Sequence, residues 1–151
     1  MSEQNVALLR RWFDEVWNGS RVETIHELLA PDAVTVGQGG PEAAIRGPQE
    51  FQAFVEKFRG AFPDVHVTVE DAFGAGDKVV ARWSATMTHK GGQLGIPASG
   101  KHVLITGISI GRIVNGKIVE GWDNWDQLTM LRDIGAIGEP KVALAGMGSG
   151  S

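Results

Sequence analysis

The residues best suited to chemistry stand at 122–126, where Trp122-Asp123-Asn124-Trp125-Asp126 sets carboxylates beside two indoles. A sheet does not need such a cluster. A carboxylate held against apolar walls loses hydration, and its pKa rises. That is how a general base is poised near neutral pH. Asp123 is the candidate base. Asp126 is adjacent to the start of a following helix and suits an N-cap. His89 is the second candidate, as a general acid or partner of Asp123, with an exposed strand-end histidine as the competing reading.

Other chemistries find less support. His66 and His102 fall on the opposite strand parity from His89 and His26 on the polar side of a helix, with no short metal-ligand spacing among them, so no metal site is expected. Ser84, Ser99 and Ser109 lack a Gly-x-Ser-x-Gly setting, which argues against a serine nucleophile. Gly37-Gln38-Gly39-Gly40-Pro41 lacks the Lys-Ser/Thr ending of a phosphate loop and reads as a flexible connection. There is no cysteine, which removes disulfides and thiolate chemistry. With 14 basic and 18 acidic residues the net charge is −4, and no basic stripe appears, so nucleic acid is not an expected partner. No apolar run approaches the ~18 residues of a membrane span, and no signal pattern opens the chain, so no membrane partner and a cytoplasmic location are expected.

The elements that must position Asp123 follow from periodicity. Residues 3–17 carry Val6, Leu9, Phe13 and Val16 at helical spacing, with Trp12 and Trp17 beside them, and Asn18-Gly19 stops the helix. A short helix is expected over 21–29 and a short strand over 32–36. Gly47-Pro48 opens a third helix whose face is Phe51, Phe54, Val55, Phe58 and Phe62, with Pro63 ending it. Most of these rings are core; Phe54 is a candidate to line a cavity. The pattern then changes to period two. Val65, Val67, Val69 and Phe73 alternate with polar residues, as do Val79, Ala81, Trp83, Ala85, Met87 and His89 after a turn at 74–77. Two further strands, 102–114 and 117–125, flank Asn115-Gly116, a strong two-residue hairpin signal. A helix over 127–134 follows, capped by Gly135. Residues 1–140 make one α+β domain, a curved antiparallel sheet wrapped around N-terminal helices into a cone with an internal cavity. Residues 141–151 read as a flexible tail, in part an artificial extension.

Side chains alternate across a strand. On 102–114 the odd set (Val103, Ile105, Gly107, Ser109, Gly111) holds the small residues that leave a pocket empty, so it is expected to face the cavity. The even set, Leu104 to Arg112, would face a second copy in a homodimer. On the last strand Val119, Gly121, Asp123 and Trp125 are expected inward, and Ile118, Glu120, Trp122 and Asn124 outward. Trp83 and Trp122 are taken as mainly structural. The candidate substrate-binding residues are Trp17, Phe54, Met87, Gly107, Ser109 and Trp125.

Several stretches together resemble the SnoaL-like polyketide cyclases, the ester-cyclase branch of the nuclear-transport-factor-2-like superfamily. They are Val114-Asn115-Gly116-Lys117-Ile118-Val119-Glu120-Gly121-Trp122-Asp123, the Leu128-to-Gly135 segment, Trp17-Asn18-Gly19, Leu29-Ala30-Pro31-Asp32, Gly47-Pro48 and Gly95-Ile96-Pro97. The resemblance implies an enzyme without cofactor or metal, acting on a small apolar carbonyl compound. An aspartate at Asp123 would move a proton for an intramolecular aldol closure, with Trp17 and His89 at the aromatic and histidine positions. Where the studied cyclases carry a glutamine and a histidine, this chain has Gly107 and Ser109, so the base keeps less polar company. The alternatives are a non-catalytic hydrophobic-ligand-binding module, or an isomerase, hydratase or epoxide hydrolase on the same scaffold. Epoxide opening wants an Asp-Arg-Asp set, and Arg82 and Arg112 both read as outward.

Overall fold

In the computed structural model, which describes residues 2–40 and 42–137, helix α1 (Ser2–Trp12) runs into a wider π-helical turn, Phe13–Asn18. The widening sets each side chain back from the α-helical stripe, and Trp12, Phe13, Val16 and Trp17 are all buried. Asn18 ends this segment by pairing its side-chain amide with the backbone of Val67 in both directions, at 2.8 and 2.7 Å. The remaining elements are α2 (Val22–Leu28), β1 (Leu29–Val36), β2 (Ala44–Arg46), α3 (Gly47–Ala61), β3 (His66–Ala75), β4 (Lys78–Thr88), β5 (His102–Val114), β6 (Lys117–Trp125) and α4 (Gln127–Asp133). Asn115 and Gly116 both take positive φ, as the tight β5–β6 hairpin requires. None of the helices is long and apolar enough to cross a membrane.

The six strands form one sheet in the order β2-β1-β6-β5-β4-β3. The fold class is the expected α+β, with α1 laid across β3 and β4 and α3 across β1. Two features differ from the expected sheet. It is mixed, because β1 pairs parallel to β6, Thr35 opposite Gly121. It also gains β2, whose three residues pair with the end of β1 and are too few to show a period. The 37–43 connection is thereby a hairpin loop, closed by Gly37 N–H on the Ala43 carbonyl at 3.2 Å. The tail at 141–151 lies outside the described residues.

The alternation expected on β4 and β5 holds: Val79, Ala81, Trp83, Ala85, Met87, Val103 and Ile105 are buried, and Leu104 and Ile108 are exposed. Two bulges break it elsewhere. Glu70 is an extra residue on β3 between the Val69–Trp83 and Asp71–Arg82 pairs. One inserted residue exchanges the two faces of a strand, so Ala72 turns to the core and Phe73 is 57% exposed rather than inward. Val119 is extra on β6, between the Arg112–Glu120 and Ile113–Ile118 pairs. Ile118, expected outward, is therefore buried on the inner face, while Gly121, Asp123 and Trp125 keep theirs.

Candidate active site

Asp123 is placed by the β5–β6 hairpin, directly opposite Ser109. The Ser109 hydroxyl donates to Asp123 Oδ1 at 2.5 Å, and Trp83 Nε1 donates to Ser109 Oγ at 3.0 Å. An indole N–H can only donate, so Ser109 must accept from Trp83, and its own proton is directed to the carboxylate. Gln38 supplies a further side-chain hydrogen bond to Asp123. Protein atoms pack densely around the carboxyl group, although part of the residue's surface stays accessible. This desolvation raises the Asp123 pKa to about 6, against the opposing hydrogen bonds from Ser109 and Gln38.

Gln38 reaches the carboxylate because its loop is pinned. Trp125 Nε1 donates to the carbonyls of Gln38 and Gly37 at 3.0 and 3.2 Å, and Gln127 Nε2 donates to the Gln38 carbonyl at 2.8 Å. Gly37, with φ +97°, lies so close to β6 that a Cβ there would sit 1.9 Å from the Asp123 carbonyl oxygen. Gly37 and Gln38, at the start of the loop expected to be flexible, are thus held against the site. Asp126 caps α4 as expected, accepting from Thr129 N–H at 3.0 Å.

Asp123 borders a cavity with about 70 Å³ of space open to the centres of water molecules. Its wall is mostly aromatic and aliphatic: Trp12, Phe13, Trp17, Phe51, Phe54 and Phe58 on the helical side, Ala85, Met87 and Ile105 on the sheet. Trp17 meets Phe51, Phe54 and Phe58 edge-on, at ring separations of 5.6–6.3 Å. The polar groups of the wall include Asp123, Ser109, Gln38 and Thr35. The Thr35 hydroxyl is buried and has no hydrogen-bond partner. It stands on β1 beside Gly121.

Of the residues singled out from the sequence, the structure brings together Asp123, Ser109, Trp17, Phe54, Met87 and Trp125 on this cavity. It does not bring His89 or Gly107 there. Gly107 is directly opposite Trp83, and a Cβ on it would sit 2.3 Å from the indole. Its space is filled by that ring rather than left empty. His89 is inward and wholly buried, but it stands eight residues past Ala81, which pairs with Ser109, and so roughly 25 Å of extended chain away. Its Nδ1 accepts from Ser99 N–H at 3.2 Å, its backbone pairs with Lys101 and Gly100, and its ring lies 5.4 Å from Phe62. It fastens the 90–100 loop. Three residues escaped the sequence reading: Trp83, Gln38 and Thr35. Trp83 carried a signal, inward parity on β4, but its pairing with Gly107 depends on register. Gln38 and Thr35 carried none. Among the described residues no cluster of three His, Asp or Glu is placed to hold a metal ion.

The profile of the SnoaL-like polyketide cyclases matches residues 7–134. This chain belongs to the SnoaL-like polyketide cyclase family. It is 29% identical over 136 residues to the aklanonic acid methyl ester cyclase DnrD of Streptomyces peucetius, covering 89% of this chain and 92% of that one. Among solved structures it is similar to a proposed SnoaL-like polyketide cyclase from Jannaschia sp. CCS1 (TM-score 0.82, 27% identity, 91% of this chain and 95% of that one). It is also similar to AclR, a proposed hydroxylase from Streptomyces galilaeus (TM-score 0.80, 26% identity, 96% and 90%). Within this SnoaL-like fold, the chain of hydrogen bonds runs from Trp83 on β4 through Ser109 on β5 to Asp123 on β6.

Proposed function

We propose that this SnoaL-like protein is a cofactor-independent acid–base cyclase. Asp123 acts as its general acid and base on a small apolar 1,3-dicarbonyl compound. The observation that carries this reading is a carboxylate raised to about pH 6 by burial, at the polar end of an otherwise apolar cavity. At pH 7 it is mostly ionised yet basic enough to take a carbon-bound proton flanked by two carbonyls. The C–H electron pair moves onto a carbonyl oxygen to give an enolate, and Asp123 becomes the carboxylic acid. The enolate carbon attacks a further carbonyl of the same molecule, outside the 1,3-dicarbonyl unit, forming the ring C–C bond. The new alkoxide takes the proton back, and the carboxylate is restored. Ser109 holds the carboxylate through Oδ1, and the residue borders the cavity in which substrate would sit. The unpartnered Thr35 hydroxyl is suited to donate to the enolate oxygen, and a donor aimed at developing charge is a large term in such reactions.

The test is exchange in heavy water. A panel of β-keto esters and cyclic ketones is incubated with the protein and with Asp123→Asn, and α-deuteration is followed by NMR. Exchange above buffer that disappears in the variant supports the base. The scaffold does not set chemistry by itself, as the proposed hydroxylase AclR on the same fold illustrates. Absence of exchange across the panel favours a non-catalytic ligand-binding module.

A homodimer through the outer sheet face is part of the same proposal. Leu104 and Ile108 are 60% and 47% exposed there, beside the partly covered Ile110 and Trp122. An apolar patch of this kind marks a contact surface. Light scattering showing a monomer overturns it.

A further inference from the structure

The inner face of β5 and β6 carries small residues at 107, 109, 111 and 121, which clear a volume larger than the one that remains. The part above Gly107 is taken by the Trp83 indole. Atoms Cζ2, Cε2 and Cη2 lie 2.3–2.7 Å from where a Gly107 Cβ would be, so only glycine lets the ring lie on the strand. Phe13 holds the ring from the helical side, at a centroid separation of 6.4 Å. The indole N–H is fixed on Ser109. The ring is therefore clamped on three sides and does not swing away at small cost. It borders the same cavity as Asp123. At about 70 Å³ the cavity holds a handful of waters, each needing roughly 10–15 Å³ on this measure. A cavity of about 150 Å³ takes a benzene ring, so the space enclosed at the carboxylate is no more than single-ring in scale.

We propose that Trp83 is the specificity-determining residue of the site, limiting its substrate to a compact, single-ring or open-chain 1,3-dicarbonyl compound. The proposal rests on Asp123 being the working base, but its size limit is a property of the cavity and is measurable as binding alone. Volume clamped by a large side chain discriminates steeply, because a further methylene group in a close-fitting pocket changes affinity by about 10–200-fold.

The experiment is a ligand-observed NMR titration with 2-acetylcyclohexanone, 2-acetyl-1-tetralone and a three-ring homologue, run on the wild type, Trp83→Leu and Trp83→Phe. In the wild type the single-ring ketone is expected to bind at least about tenfold more tightly than the two-ring one. Trp83→Leu, which opens the volume above Gly107, is expected to bring the two within about threefold. Trp83→Phe, which keeps most of the bulk, is expected to retain the preference. Equal binding of one-ring and fused-ring ketones by the wild type overturns the proposal without any variant being needed. So does a preference that Trp83→Leu leaves unchanged in a folded protein. Size-selective binding with no α-deuteration of any ligand would instead remove the base and leave Trp83's role standing. Deuteration of all sizes alike would do the reverse.

Discussion

The two ends of the sheet's inner face each carry one buried ionisable side chain, and they are built differently. At one end Asp123 is surrounded by side chains: Ser109, Gln38 and, through Ser109, Trp83. At the other, His89 is surrounded by chain: Ser99 N–H on its ring, Lys101 and Gly100 on its backbone, Phe62 against its face. Both were inward by parity and equally eligible as acid–base groups. His89 also keeps an atom free, since its Nε2 is buried without a partner; what separates them is that Asp123 borders the cavity and His89 does not. The side-chain partners at Asp123 hold the carboxylate at the edge of a cavity, where it has somewhere to act. Loop partners at His89 engage Nδ1 to close a turn, and the free Nε2 does not line that cavity.

The sharpest way to break this contrast is to remove each group in turn and follow α-proton exchange. Asp123→Asn is expected to lose at least about 100-fold, since a positioned general base contributes 10²–10⁴-fold. His89→Leu is expected to keep the chemical step within a few-fold in whatever fraction is folded. A loss in His89→Leu as deep as that in Asp123→Asn would erase the distinction.

Stability should move the other way. His89→Leu removes the acceptor of the Ser99 N–H and loosens the 90–100 loop, at an expected cost of about 0.5–1.5 kcal/mol in a urea melt. Asp123→Asn should stabilise, increasingly as pH rises from about 4 and fully above pH 6. The folded state holds the Asp123 proton to about pH 6, against a normal value of 3.8. Its favourable contribution is present below pH 4 and is lost as pH rises through 6. At pH 8 the ionised, buried carboxylate then costs up to about 3 kcal/mol, at 1.36 kcal/mol per pH unit, which the amide removes. Thermal melts at pH 4, pH 5 and pH 8 check this: the variant's gain should be several degrees at pH 8, about half of that at pH 5 and small at pH 4.

Smaller effects dissect the Asp123 end itself. Ser109→Ala removes a donor that favours the charged form, so the midpoint of the pH–exchange profile should move to higher pH, and exchange at pH 7 should fall. Trp83→Phe keeps Ser109 but frees its orientation, and should shift the same midpoint upward by less. A downward shift in either would contradict the hydrogen-bond direction assigned here.

Much of the Asp123 end was legible in the sequence. The Asn115-Gly116 turn sets the β5–β6 register, the small residues on β5 mark its inner face, and a carboxylate between indoles marks the chemistry. What was not legible depended on contacts between distant segments. The parallel β1–β6 pairing brings Thr35 and Gln38 to the site from nearly ninety residues away. The Glu70 and Val119 bulges reverse parity without a sequence signal, which misplaced Phe73 and Ile118. Gly107 showed that a small residue need not mean an empty space, because the strand opposite supplies a tryptophan to fill it. His89 showed that the correct face of a strand still leaves open the position along it.

The central claim is that burial poises Asp123 as a base, and the most direct measurement of it needs no substrate. A ¹³C NMR titration of the aspartate side-chain carboxyls, with the Asp123 signal assigned by its absence in Asp123→Asn, should show that resonance titrating with a midpoint near pH 6. A midpoint near pH 4, the ordinary range of a hydrated aspartate, would contradict the account.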